Sequence, residues 1–240
     1  MPFLPSLLEY TPQNLEIKLE LIKDNLKDFR IIQKSSDNKI HLHLDFVLQQ
    51  FAINRNIEPS NSLQIVFNMV NKYFGDQKIV CNCHFMGSFI DIMEILTYLK
   101  TKEATKEFNS NWEYMFYFGK DMIGMIGYFD SMNNNKNLKA GLWLDFDEWE
   151  ILKFSENFFN IKNYLLMTVI AGKSGQKLTS NNRSQALEII KNNSDLNFTI
   201  DGGWSVGDEL LELDMESKNK LSIISYSSFW DQFDTMIHGI

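Results

Sequence analysis

Cysteine is almost missing from this chain: its 240 residues include two, Cys81 and Cys83. Two apart on one strand face, they are badly placed to bridge each other, so a disulfide-stapled scaffold is excluded and a reducing compartment is expected. Positive charge is also short. Twenty-three Lys and Arg against 31 Asp and Glu leave a net charge of −8, the wrong sign for a nucleic-acid footprint. An anionic ligand would meet an overall repulsive field and would have to be captured by local amides or a bound cation. Long apolar runs are lacking as well. The stretch from Tyr164 to Ala171 falls far short of a membrane span, and no basic region followed by an apolar core opens the chain. No membrane partner is expected, and the cytoplasm is the default location. Histidine is scarce, with four residues: His41, His43, His84 and His238.

What is present is an alternation. Short β-like runs near 3–8, 39–47, 78–85, 113–118, 139–145, 164–170, 197–201 and 221–226 are separated by amphipathic helical stretches. Eight such runs, each followed by helix, predict a parallel α/β fold closed as a (β/α)8 TIM barrel, with 1–240 as one domain. Thr11-Pro12 is read as an N-cap and first-turn proline, ahead of one apolar stripe through Leu15, Leu19, Ile22, Leu26 and Phe29. Ser88 with Asp91 reads as a capping box, and Ser227 or Ser228 opens a last helix carrying Phe229, Trp230, Phe233 and Ile237. Asn133 to Asn137 reads as a solvated loop. Trp143, Trp149 and Trp230 are taken as outer aromatics, in the core or at an interface, which leaves a homo-oligomer open.

The chemistry lies in three strand-like runs. In Ile40-His41-Leu42-His43-Leu44-Asp45-Phe46, His43 and Asp45 share a face; His84 ends a second run and Asp201 a third. Two imidazoles and two carboxylates meeting at one point would hold a divalent cation such as zinc, iron(II) or manganese. The carboxylates could also move protons on opposite sides of a substrate. In the Cys-x-Cys-His string, His84 points away from both cysteines, so these are expected to pack under the outer helices as small hydrophobes. His41 forms a His-x-His with His43, as in barrel metallohydrolases. Those enzymes need further histidines on later strands, so His41 is read as a deeper interior residue, and His238 as a partner of a helix C-terminus.

Five stretches, in order and at suitable spacing, resemble the ribulose-phosphate 3-epimerase family: Pro5-Ser6, His43-Leu44-Asp45, His84-Phe85-Met86, Met167-Thr168-Val169 with Gly172 to Lys177, and Asp201-Gly202-Gly203. The resemblance implies an isomerase of carbohydrate metabolism in the pentose phosphate pathway, with one divalent metal ion (Zn, Fe(II), Mn or Co). It would invert C3 of a ketose phosphate through an enediolate. It assigns Asp45 and Asp201 as the acid/base pair and as metal ligands with His43 and His84. By the same likeness Ser6, His84, Met86, Met167, Gly172, Gly175, Gly202, Gly203, Tyr226 and Ser227 contact substrate.

The chain also departs from the family. Phe46-Val47-Leu48-Gln49 replaces the usual Val-Met-Asp-Gly, Ile170-Ala171 replaces Asn-Pro, Lys173-Ser174 replaces Phe-Gly, and Tyr226-Ser227 replaces Gly-Ser. The metal and proton-transfer residues are kept while the phosphate loops are altered. Ribulose 5-phosphate is therefore the first substrate expected and a six-carbon ketose phosphate such as allulose 6-phosphate the second. The competing readings are a non-catalytic barrel that binds metal or sugar phosphate, and the His-x-His metallohydrolase.

Overall fold

The computed structural model describes residues 2–7, 12–35, 37–48, 59–125, 131–132, 134–155, 161–171, 176–206, 210, 212–225 and 227–239. Its strands are β1 (Phe3–Pro5), β2 (Ile40–Val47), β3 (Ile79–Met86), β4 (Trp112–Phe118), β5 (Leu138–Leu144), β6 (Asn163–Met167), β7 (Asn197–Asp201) and β8 (Leu221–Ser225). The helices are α1 (Pro12–Asp24), α2 (Leu26–Gln33), α3 (Pro59–Phe74), α4 (Phe89–Ala104), α5 (Phe146–Leu152), α6 (Ser180–Asn192), α7 (Met215–Asn219) and α8 (Ser227–His238). All strands are parallel in the order β1-β8-β7-β6-β5-β4-β3-β2. A single bridge, Ser6 to His43, with Leu7 N donating to His43 O at 2.8 Å, draws β1 to β2 and nearly closes the sheet. This is a (β/α)8 TIM barrel. Among the described residues no helix is long and apolar enough to cross a membrane.

Period-2 alternation sorts the core into two parts. Along β3, Ile79, Cys81, Cys83 and Phe85 belong to the large core, which also takes in the helix stripes. Both cysteines are fully buried there, and burial pushes their thiols up, so they behave as the small hydrophobes expected. A second, smaller cluster joins Leu4, Tyr117, Leu165, Met167 and Ile224 from β1, β4, β6 and β8, with Trp143 packed against it. Strands adjacent and opposite in the barrel meet here, which identifies this cluster as the barrel interior. The Tyr117 phenol reaches Thr199 Oγ1 at 2.7 Å, satisfying two buried hydroxyls between β4 and β7.

Several local expectations change. The first helical stripe is not one helix: it breaks at Asn25, whose side chain turns back to donate to Leu21 O at 3.0 Å. β6 stops at Met167 rather than 170; the Thr168 amide makes the last ladder bond to Asp201 O of β7, and its hydroxyl donates to Asp201 O and Gly202 O just beyond. Asp145 is not a strand residue but the N-cap of α5, in a capping box with Glu148. The Ser88–Asp91 box forms as expected, and α8 starts at Ser227. Thr11, Asn133 and Tyr226 lie outside the described residues.

Candidate metal centre

Four side chains converge at the C-terminal ends of β2, β3 and β7. His43, Asp45, His84 and Asp201 each offer one ligand atom, and these atoms all lie within 4.8 Å of one another. Strand register brings them together: Asp45 pairs with His84 across β2 and β3, and Asp201 ends β7 beside Met167 of β6. The Ser6–His43 bridge puts β1 on the other flank.

The shortest contacts radiate from one oxygen. Asp45 Oδ1 lies 3.1 Å from His43 Nε2 and 3.2 Å from His84 Nδ1, while His84 Nδ1 is 4.0 Å from Asp201 Oδ2. Bonds of 2.0–2.2 Å to one ion would put tetrahedral ligands about 3.4 Å apart. The observed separations bracket that value, and the set pairs two imidazoles with two carboxylates, so these residues fit a divalent cation. Asp45 keeps its second oxygen for Ser6, whose hydroxyl donates to Oδ2 at 2.6 Å. Both histidines are fully buried, and the remote nitrogens, His43 Nδ1 and His84 Nε2, have no hydrogen-bond partner.

Electrostatics pushes the two acids apart. Burial alone would raise Asp45, but His43 and His84 outweigh it and hold this carboxyl well below the usual range. Asp201 meets burial plus the charge of Asp45, against a smaller pull from His43, and is pushed up to about 7. Burial lowers His84. For His43, burial acts in the same direction but is overcome by Asp45 and Asp201, so it ends raised.

The other anticipated residues fall out unevenly. Ser6 is at the centre, turned onto Asp45. Met167 is buried in the barrel interior beside Asp201, and Met86 ends β3 two residues past His84, half-buried. Gly202 and Gly203 adopt positive φ (110° and 75°). A Cβ on Gly202 would stand 2.1 Å from Val169 Cγ2, and one on Gly203 would stand 2.4 Å from Leu178 N, so the chain following β6 packs directly on both. Gly172, Gly175 and Tyr226 lie outside the described residues, as does the side chain of Ser227.

His41 does not join the centre. Its Nε2 is 3.0 Å from both Asp37 Oδ1 and Ser35 Oγ at the start of β2, and Gln33 brackets its backbone by accepting from the amide and donating to the carbonyl. His41 is buried, as expected, and its ring turns to Asp37 and Ser35, so among the described residues it does not converge with His43 on the cluster.

Trp143 does not take the outer position expected for it. It is no outer aromatic: it packs on the interior cluster, its ring and that of His84 form a T-shaped pair with centroids 5.1 Å apart, and Nε1 donates to Phe85 O at 2.9 Å. Leu138, Ala140, Leu142 and Leu144 all face the outer core, so strict alternation along β5 already put Trp143 inside. It also lines a cavity of about 700 Å³ with Met167, Thr168, Gln176, Lys177 and Asn182. Trp204, which no sequence motif marks, is buried and donates from Nε1 to Thr168 Oγ1 at 3.0 Å.

No protein-family model matches the sequence, and no curated protein matches it either. The functional reading therefore rests on the residues themselves.

Proposed function

We propose that this chain is a metal-dependent epimerase that inverts C3 of a ketose phosphate, as its resemblance to the ribulose-phosphate 3-epimerases implies. The observation that carries the reading is the pair of carboxylates beside one cation-sized cluster, with Asp45 held ionised and Asp201 pushed up to about 7. Two acids driven in opposite directions are what two-sided proton transfer needs. Asp45, ionised, takes the C3 proton on one face; Asp201, protonated, returns one on the other, and the roles exchange in the reverse direction. Ser6 holds the carboxylate of Asp45 in place through Oδ2. His43 and His84 would complete the ligand set. The bound cation would act as a Lewis acid on the substrate's carbonyl and hydroxyl oxygens, stabilising the enediolate's negative charge. Zinc, iron(II), manganese and cobalt all suit this donor set.

For the phosphate, we assign the backbone amides after β7 and β8, where barrels commonly hold one at a helix N-terminus. Gly202 and Gly203 would supply the β7 half, and Tyr226 with Ser227 the β8 half. Tyr226 stands where the family has glycine, which favours a substrate shifted from ribulose 5-phosphate toward a six-carbon ketose phosphate.

The test joins metal analysis of the purified protein to epimerisation assays on five- and six-carbon ketose phosphates. Asp45→Asn and Asp201→Asn should each lose about 10²–10⁴-fold in turnover, while either retains exchange of one substrate proton with solvent deuterium. Near-wild-type epimerisation by either variant would sink the two-carboxylate scheme. His84→Ala should lose the metal and keep the fold; full metal content in that variant would refute the ligand assignment.

A further inference from the structure

Along an extended strand the peptide groups alternate sides, so successive carbonyls point to opposite neighbours. β7 lies between β6 and β8, and the carbonyl of Asp201 takes the Thr168 amide from the β6 side at 2.8 Å. The next carbonyl, that of Gly202, would by this rule turn to β8. Instead it lies 2.6 Å from the Thr168 hydroxyl, on the β6 side again. The φ of 110° at Gly202 is what lets two successive carbonyls face one neighbour. A trans peptide holds its N–H opposite its C=O. The Gly203 N–H is thereby turned away from Thr168, and β8 is the strand on that side of β7.

This reversed peptide joins two glycines, both at positive φ, so no Cβ on either side resists its rotation. Hydrogen bonds have to hold it. The Thr168 hydroxyl has one proton and two lone pairs. The Trp204 indole donates to it at 3.0 Å, and it donates in turn to the carbonyls of Asp201 at 2.8 Å and Gly202 at 2.6 Å, the latter being nearer. Both side chains are buried. Trp204 is itself anchored: Ser225, at the end of β8, donates to its carbonyl at 2.8 Å, and the Arg183 guanidinium lies 5.2 Å from its ring centroid.

We propose that Thr168, backed by Trp204, is a positioning residue for anion binding: its hydroxyl holds the Gly202–Gly203 peptide so that the Gly203 N–H faces the substrate's phosphate between β7 and β8. The inference rests on the phosphate reading above and narrows it to one amide and the two side chains that aim it. Thr168 acts through the Gly202 carbonyl and needs no contact with phosphate. Without its hydroxyl, a buried indole N–H and the Gly202 carbonyl lose their partner, and the peptide is free to turn over.

The experiment titrates the full ¹⁵N-labelled chain with inorganic phosphate, as wild type, Thr168→Val, Thr168→Ser and Trp204→Phe. In the wild type the Gly203 amide proton should move downfield on saturation. Thr168→Val matches threonine in shape and lacks the hydroxyl; it should bind phosphate about tenfold or more weakly, the worth of one hydrogen bond to a charged group. Thr168→Ser restores the hydroxyl and should recover most of the affinity, while Trp204→Phe should lose a smaller part. With a ketose phosphate the Thr168→Val loss should appear in KM more than in kcat. Wild-type phosphate affinity in Thr168→Val would overturn the proposal and leave the phosphate reading standing. A Thr168→Ser variant as weak as Thr168→Val would overturn it too, because packing of the methyl group would then be what matters. Should Thr168→Val fail to fold, an unchanged phosphate affinity in Trp204→Phe decides against the relay. A wild type whose Gly203 amide does not respond to phosphate would bring down the phosphate reading and the inference together.

Discussion

At the scale of single residues, Asp45 organises the centre. One of its oxygens faces two imidazoles and the other takes the Ser6 hydroxyl, so its charge is compensated on every side and it stays ionised. Asp201 lacks such partners, and burial with the Asp45 charge keeps its proton on to about 7. A cation needs the proton on His43, which is raised, removed, while Asp201 keeps its own as the acid of the proposed transfer. Metal binding should therefore strengthen as pH rises through the raised range of His43 and level off above it. Below that point the affinity should fall at least tenfold per pH unit, since at least one proton is displaced. Zinc titrations from about pH 5 to about pH 8 check this; an affinity independent of pH would contradict it.

At the scale of elements, the turn after β7 is held by close packing. Gly203 sits at φ 75°, with the Leu178 backbone where its Cβ would be. Gly203→Ala should cost about 2–3 kcal/mol in chemical denaturation, from overpacking and left-handed strain together. Gly124, in the 3₁₀ turn Lys120–Met125, has nothing within 4 Å of a built Cβ, so Gly124→Ala serves as the control and should stay within about 0.5 kcal/mol. Equal losses at both sites would show that the packing against Leu178 is not restrictive. Other elements were plainer in the sequence. The Ser88–Asp91 box is local, so three residues of spacing are enough to read it. The break at Asn25 was hidden because the apolar stripe continues across it; there the backbone leaves the helical region (φ −120°, ψ 36°) while the side chain donates to Leu21 O.

Over the whole molecule, the centre ties together strands that are far apart in sequence. Residues 43, 45, 84 and 201 come from three strands, and the barrel's seam at Ser6–His43 lies against them. An ion bound there would clamp β2, β3 and β7, stabilising only the folded chain. At about a hundredfold excess over its dissociation constant it should contribute about 2.7 kcal/mol, which for a chain of this size raises Tm by about 5–10 °C. Differential scanning with and without zinc measures this, and His84→Ala should abolish the rise. A rise that survives in His84→Ala would place the ion elsewhere.

The strand-like runs, the helical stripes apart from the break at Asn25, and the placement of His43, Asp45, His84 and Asp201 at strand ends were legible in the chain by itself. They follow from period-2 and period-3.6 patterns, which are set by neighbours within a few residues. The tertiary structure alone decided the rest. It turned the Ser6 hydroxyl onto Asp45, paired Tyr117 with Thr199, set Trp143 against His84, and separated the two carboxylates electrostatically. The reason is physical. Which atoms touch across a barrel depends on how its strands close and stagger, and a carboxyl's proton depends on the burial and charges that closure brings to it.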